Sequence, residues 1–360
     1  MDRRSFLRTT ALGGSAAAAT TLAAPAYAQG KRTLTMVTAW GRGLAGVFDA
    51  AVHVADSIGA MSDGQLTVDI KAAGELVGAF EVFDAVTSGQ ADMYHAADYY
   101  FVNQNPGYAY FTAVPFGMTA QELINWYYQG EGHALHDELG QVFGLKSFLG
   151  GNTGAQCGGW FAKEINGPED FNGLKFRMPG LGGQALGKMG ASVQNIPGSE
   201  VYQALASGAI DGTEWIGPWA DEKAGFQEIT KFYYTAGFHE PGAGLSVATN
   251  RDVYESLSPA HQKIVEVAAG ESHQWSLSQF LNNNASALQR LQAGGVKLME
   301  FPDSVWDAMG TASKETLDGY MEDELFAKIR KSAETSMKVS SGWLTTSEGT
   351  YRAQRDRIIG

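Results

Sequence analysis

Cysteine is almost missing from this 360-residue chain: Cys157 is the only one, so no intrachain disulfide can form. A chain of this length can bury a sizeable core without such staples. Beyond the first thirty residues, no apolar run reaches the roughly 18 residues that a membrane-spanning helix needs. Positive charge is scarce as well, with 26 Lys and Arg against 39 Asp and Glu, a net charge of −13. An acidic surface of this kind argues against nucleic acid and anionic lipid headgroups as partners. Motifs for bond-making chemistry are thin. The mature chain holds no G-x-S-x-G elbow. His239-Glu240 is followed by Pro241, which breaks the helix that a zinc-protease motif requires. Cys157, flanked by Gln156 and Gly158, has no histidine close in sequence to activate it. His133 and His136, three apart without a third ligand in range, read as surface residues.

The N-terminus carries an address. Arg3-Arg4-Ser5-Phe6-Leu7-Arg8 is a twin-arginine region, Thr9 to Leu22 is weakly apolar, and Ala26-Tyr27-Ala28 is a small-x-small cleavage site. Cleavage after Ala28 and export of the folded protein to the bacterial periplasm are expected. Residues 1–28 hold three arginines and one aspartate, a net of +2, so the mature chain stands at −15. With 44% hydrophobic residues and no low-complexity tract it is globular, and its length suits two domains.

Strand and helix patterns alternate from Leu34 onward: a strand to Val37, an amphipathic helix with Leu44, Val47, Phe48, Ala51, Val54 and Ile58, then a strand at Leu66 to Ile70. Such alternation predicts right-handed βαβ units on a largely parallel sheet. Glu81 to Asp92 (EVFDAVTSGQAD) and Glu200 to Asp211 (EVYQALASGAID) match at six of twelve positions, 119 residues apart. Both predict a helix stopped at Ser-Gly by a left-handed glycine, with a strand after Asp. That offset suits two related α/β lobes, each giving a strand end to a shared cleft, where small ligands bind. A crossing is expected at Gly150-Gly151-Asn152, a return near Ser246 to Ala248, and one long helix from Ser258 to Leu291, N-capped by Ser258 ahead of Pro259. The helical tail after Ser304 reads as a brace across both lobes or as a dimer contact.

The stretch from Gly173 to Pro218 organises the rest. Arg177 sits in the extended run Leu174, Phe176, Met178, and Glu214 closes another beside Trp215 and Ile216. A charge among apolar neighbours is costly unless it is paired or faces a ligand. Arginine offers a planar fork that matches a carboxylate. The two residues therefore read either as a pocket for a small carboxylic acid or as a salt bridge inside one domain. Gln156, after a glycine-rich turn, adds an uncharged oxygen donor able to orient a substrate or ligate a hard cation with Glu214. Gly180-Leu181-Gly182-Gly183-Gln184-Ala185 fits the dinucleotide pattern. It leaves a nucleotide-dependent oxidoreductase as an alternative, although its strand carries Lys175 and Arg177 where that fold wants apolar residues.

With these residues in view, the mature chain resembles the solute-binding subunits of tripartite ATP-independent periplasmic (TRAP) transporters. LKFRMPG around Arg177, PGSEVYQALASGAIDGTEW ending at Trp215, and the twin-arginine signal carry the likeness. GNTGAQCGGWF, GTEWIGPW and GFHEPG resemble the subgroup that binds 2-oxo or 2-hydroxy monocarboxylates. The resemblance implies an α/β two-lobe periplasmic binding protein fold with a hinge, a long helix spanning both lobes and a helical C-terminal extension. The lobes would be residues 29–151 plus about 236–270, and 152–235 plus about 292–320, with 321–360 as the extension. It implies no catalysis. Arg177 would grip the substrate carboxylate bidentately, open to solvent where the lobes meet until the anion arrives. A sodium or calcium ion would bridge substrate to Gln156, Glu214 and the Trp215 carbonyl, and Tyr100 and Asn152 would complete the substrate site. A membrane permease and a second copy of the chain are the implied partners. A sugar acid or a dicarboxylate in the same fold is the alternative ligand.

Overall fold

A computed structural model describes residues 30–360; the expected export signal and cleavage site lie outside the described residues. Two sheets organise the chain. The first has the order β2-β1-β3-β10-β4, from strands β1 (Arg32–Thr38), β2 (Leu66–Lys71), β3 (Met93–Ala96), β4 (Leu145–Asn152) and β10 (Gly244–Asn250). The second has the order β11-β9-β5-β8-β6-β7, from β5 (Gly159–Phe161), β6 (Lys175–Arg177), β7 (Ser192–Gln194), β8 (Gly212–Thr213), β9 (Phe232–Tyr234) and β11 (Lys297–Met299).

Each lobe is built on the same unit. In the first, β1, helix α1 (Val47–Met61), β2, helix α2 (Val82–Thr87) and β3 give three parallel strands with β1 in the middle. In the second, β6, a helix at Gly180–Lys188, β7, a helix at Gly198–Ala206 and β8 repeat that arrangement with β6 in the middle. The sequence repeat falls at the same place in both. Gly89 and Gly208, at φ 79° and 72°, stop the equivalent helices. The following aspartates do the same work: Asp92 accepts from the Thr35 amide (2.7 Å) and its own amide donates to Thr35 O. Asp211 accepts from the Lys175 amide (2.9 Å) and donates back to Lys175 O. Each pair ties the repeat to the central strand, midway along β1 and at the start of β6, so the strand ends that follow point into the cleft between the lobes.

Neither sheet is wholly parallel. β10 runs antiparallel to β3 and β4, and β5 runs antiparallel to β8 and β9, because the chain changes lobes through these strands. The expected crossing at Gly150-Gly151-Asn152 is not a break in β4 but part of it, paired with Gly244 and Leu245 of β10. Glycine makes this possible: a Cβ at Gly151 would lie 3.0 Å from the Leu245 side chain, and one at Gly150 would strike Val247.

The long helix, Pro259–Ala293, starts as expected, with the Ser258 side chain accepting from the His261 amide (3.2 Å). It spans both lobes. Ser272 donates to Ala50 O of α1 in the first lobe, and Asn284 accepts from the Trp219 amide in the second. Ser276 exchanges hydrogen bonds with the Asn152 backbone between them. The helix Asp303–Asp318 packs on the second lobe, and the helix Glu324–Leu344 returns to the first, where Trp126 donates to Ser332 (3.0 Å). A final helix, Thr350–Ile359, buries nothing. No described helix is long and apolar enough to cross a membrane.

Candidate functional site

The strand ends meet at a small cavity of about 290 Å³. The first lobe lines it with Trp40, Val47, Ala97, Tyr99 and Tyr100, and the second with Gln156, Arg177, Trp215 and Ile216. Thr153, Glu240 and Leu245 close it near the crossings.

Arg177 ends β6, in register with Gln194 on one side and Thr213 on the other. It is fully buried, not open to solvent as expected, because the lobes are closed over it. Its Nε donates to Ile196 O (3.0 Å), Nη1 pairs with Glu214 Oε1, and Nη2 has no partner among the described residues. The guanidinium lies 5.4 Å from the Trp215 ring. Burial pulls against its charge, but Glu214, Tyr100 and Tyr99 outweigh burial and hold the group cationic. The salt bridge inside one lobe and the ligand-facing arginine are therefore one arrangement: part of the fork is anchored and part is free.

Unpartnered oxygens converge beside it. Gln156 donates from Nε2 to Thr153 Oγ1 (3.0 Å), while its Oε1, Glu214 Oε2 and Glu240 Oε2 have no hydrogen-bond partner among the described residues. His239 Nε2 stands 3.5 Å from Glu214 Oε2 and 4.0 Å from Glu240 Oε1, and neither of its ring nitrogens is hydrogen-bonded. One ligand atom each from Glu214, His239 and Glu240 lies within 4.8 Å of the others. Burial, reinforced by the Glu214 charge, raises the Glu240 carboxyl well above the usual range, although Tyr99, Arg177 and Gln156 oppose it. Orphaned buried acceptors carry a desolvation cost that a cation would remove. Three oxygen donors of this kind suit a hard ion such as sodium or calcium.

Five of the residues named from sequence, Arg177, Gln156, Glu214, Trp215 and Tyr100, come together here. Asn152 does not. Its Oδ1 accepts from the Gly154 amide (2.7 Å) and its Nδ2 faces His273 Nε2 (3.4 Å), so it fastens the crossing strand to the long helix. Glu240 and His239 were missed as site residues, since Pro241 removed them as a protease motif and nothing else in GFHEPG announces burial. His136 is not on the surface: it is fully buried, at 2.9 Å from Asp98 Oδ2 and 3.1 Å from the Tyr127 hydroxyl. The Cys157 thiol is pushed up to about 12, by burial first and then by Asp221, which leaves it no nucleophile.

The glycines of the dinucleotide-like segment are used by the protein itself. A Cβ at Gly182 would lie 2.6 Å from the His239 Cβ, and one at Gly183 would strike the Met178 carbonyl. They allow close packing under the carboxylate cluster.

Two similar α/β lobes closed on a small, largely apolar cavity with a few convergent polar groups, and a long helix across both, define a solute-binding protein. The family model for bacterial extracellular solute-binding proteins, family 7, matches residues 44–324, and the chain belongs to that family. A relative from Nostoc sp., a monocarboxylate 2-oxoacid-binding periplasmic protein, is 39% identical over 88% of this chain and 87% of its own length. A TRAP periplasmic solute-binding protein from Pseudoalteromonas atlantica, solved with sodium and pyruvate bound, is 39% identical with a TM-score of 0.87, covering 90% of this chain and 99% of that one. A TRAP solute-binding protein from Bordetella bronchiseptica, a mixed-occupancy dimer with copurified calcium and picolinate, has a TM-score of 0.89 and 31% identity, covering 92% and 98%.

Proposed function

We propose that this protein captures a small 2-oxo or 2-hydroxy monocarboxylate in the periplasm, together with a bridging sodium or calcium ion, and delivers it to a TRAP permease. The observation that carries this reading is the pairing of one free guanidinium nitrogen, Arg177 Nη2, with bare oxygens of Gln156, Glu214 and Glu240 around the same closed cavity. An acid carboxylate would meet the arginine, and a cation held among these oxygens would offset the charge of the two glutamates and of the ligand. In this scheme Gln156, Glu214, Glu240 and the Trp215 carbonyl hold the ion, His239 lies against it, and Tyr100 flanks the carboxylate. Asn152 acts at the hinge, outside ligand contact. No bond is made or broken, and the ion supplies charge alone.

The small cavity favours pyruvate- or lactate-sized acids over sugar acids, which need more room, and over dicarboxylates, which also need a second cationic group. Export through the twin-arginine signal with cleavage after Ala28 is part of the same reading. So is pairing of two copies through the exposed end of the C-terminal extension. Calorimetric titration with pyruvate and lactate, with and without chelator and sodium, tests the proposal. Binding of neither acid under any of these conditions overturns it; binding indifferent to chelator and to sodium removal removes the cation alone.

A further inference from the structure

Gly180 opens the glycine-rich helix of the second lobe, yet the neighbour that most needs it to be glycine belongs to the first. A Cβ at Gly180 would lie 2.7 Å from Tyr99 Cδ2, 3.1 Å from Cγ and 3.3 Å from Cβ. Tyr99 follows β3 in the turn Asp98–Phe101 and lines the cavity. Its ring and backbone are both held. It is buried, meets Tyr100 edge-on at 4.9 Å, and its backbone amide is fixed by Thr112 Oγ1 (3.3 Å). The turn itself is pinned by Asp98, whose carboxylate accepts from Tyr94, His136 and Ser246. Gly180 has φ 67°, so it cannot swing aside without losing the helix start. Of the other glycines of the segment, Gly182 faces Met178 and His239 at the crossing and Gly183 faces Met178 and Val193, so neither meets Tyr99, and Gly187 in the same helix has open space around it.

We propose that Gly180 is a positioning residue for capture: the missing side chain lets the second lobe come down on Tyr99, which brings Tyr99 and Tyr100 against Arg177. A methyl group there holds the cleft ajar and leaves each lobe intact. The inference rests on the capture reading above.

The test uses pyruvate with calcium on the mature protein, measuring affinity, dissociation rate and ligand-induced contraction by small-angle scattering. Gly180→Ala should bind about ten- to a hundredfold more weakly, the scale of forcing a methyl into a packed contact, through faster dissociation and with incomplete contraction. The control Gly187→Ala should match the wild type. Because a left-handed φ also strains alanine, the decisive comparison is made in a Tyr99→Ala background, where Gly180→Ala should cost less than about threefold. Equal losses in both backgrounds, or wild-type binding by Gly180→Ala, overturn the proposal. If the wild type does not bind pyruvate, the capture reading has failed. The closure contact is then judged on ligand-free protein: a more compact wild type supports it, and dimensions equal to those of Gly180→Ala overturn it.

Discussion

Arg177 and Glu214 form a fully buried ion pair between neighbouring strands of one lobe, and each keeps one atom, Nη2 and Oε2, without a partner. A pair built only for stability would satisfy both ends of both groups, because unmatched buried charge is costly. The spare atoms mark where an anion and a cation complete the network.

Arg177→Ala should abolish binding of every acid tested, and it should also destabilise the protein by about 3–5 kcal/mol, since Glu214 is left buried without its cation. Arg177→Lys keeps the charge and separates the two effects: the fold should largely survive while affinity falls about a hundredfold or more, for want of the planar fork. Calorimetry beside thermal denaturation checks both. Near-wild-type affinity in the lysine variant counts against carboxylate recognition by the fork.

Glu240→Gln removes one of the two glutamates facing the proposed ion yet keeps its shape. Calcium should then stabilise the protein less on heating, with affinity for the ion about 10–100-fold lower, while acid binding in excess calcium is partly retained. Glu214→Gln should be more damaging, because it also leaves Arg177 without its counter-charge. If Glu240→Gln leaves the calcium-dependent melting shift unchanged, Glu240 is not a ligand.

The architecture was readable because it is written in local terms: a twelve-residue repeat, glycine stops at 89 and 208, and a capping serine at 258. Arg177, Glu214 and Gln156 stood out because a charge or amide in an apolar or glycine-rich run has few bland explanations. Glu240 and His136 escape notice for the opposite reason: each sits in a stretch that looks like ordinary loop or helix surface, and only long-range packing buries it, against Glu214 and Asp98 respectively. Asn152 goes the other way, read as a ligand contact where its side chain accepts from Gly154 and faces His273 of the long helix. Closure is likewise invisible in sequence, so Arg177 was expected to face solvent.

Two buried histidines set an acid limit on stability. Burial lowers His95 to about 4, against smaller opposing effects of Gly150 O and Asp98, and burial likewise lowers His273 to about 4. Below the ordinary value of 6.5 the unfolded chain takes up these protons and the folded one does not, so unfolding gains from acid. The stability each neutral ring contributes is present above 6.5 and is lost as pH falls through about 4. Each contributes on the order of 3 kcal/mol. Chemical denaturation between pH 7 and 4 should show this decline, and His273→Gln should flatten it. A slope unchanged by that substitution would falsify the assignment.

The far end of the chain supplies the remaining test. Val339, Trp343, Tyr351 and Ile359 are exposed by 75%, 69%, 67% and 76%, all beyond the point where the helix Glu324–Leu344 buries its last residue, Ala333, against the first lobe. Apolar groups aligned on an arm that covers nothing of its own protein are costly in water and gain by meeting a second copy. Trp343→Glu, or truncation after Lys338, should convert a dimer to a monomer in sedimentation equilibrium. Pyruvate affinity and the melting of each lobe should change little, because neither alteration reaches the cavity. A wild-type protein that sediments as a monomer at all concentrations, or a truncated one that still pairs, would remove the arm from the interface.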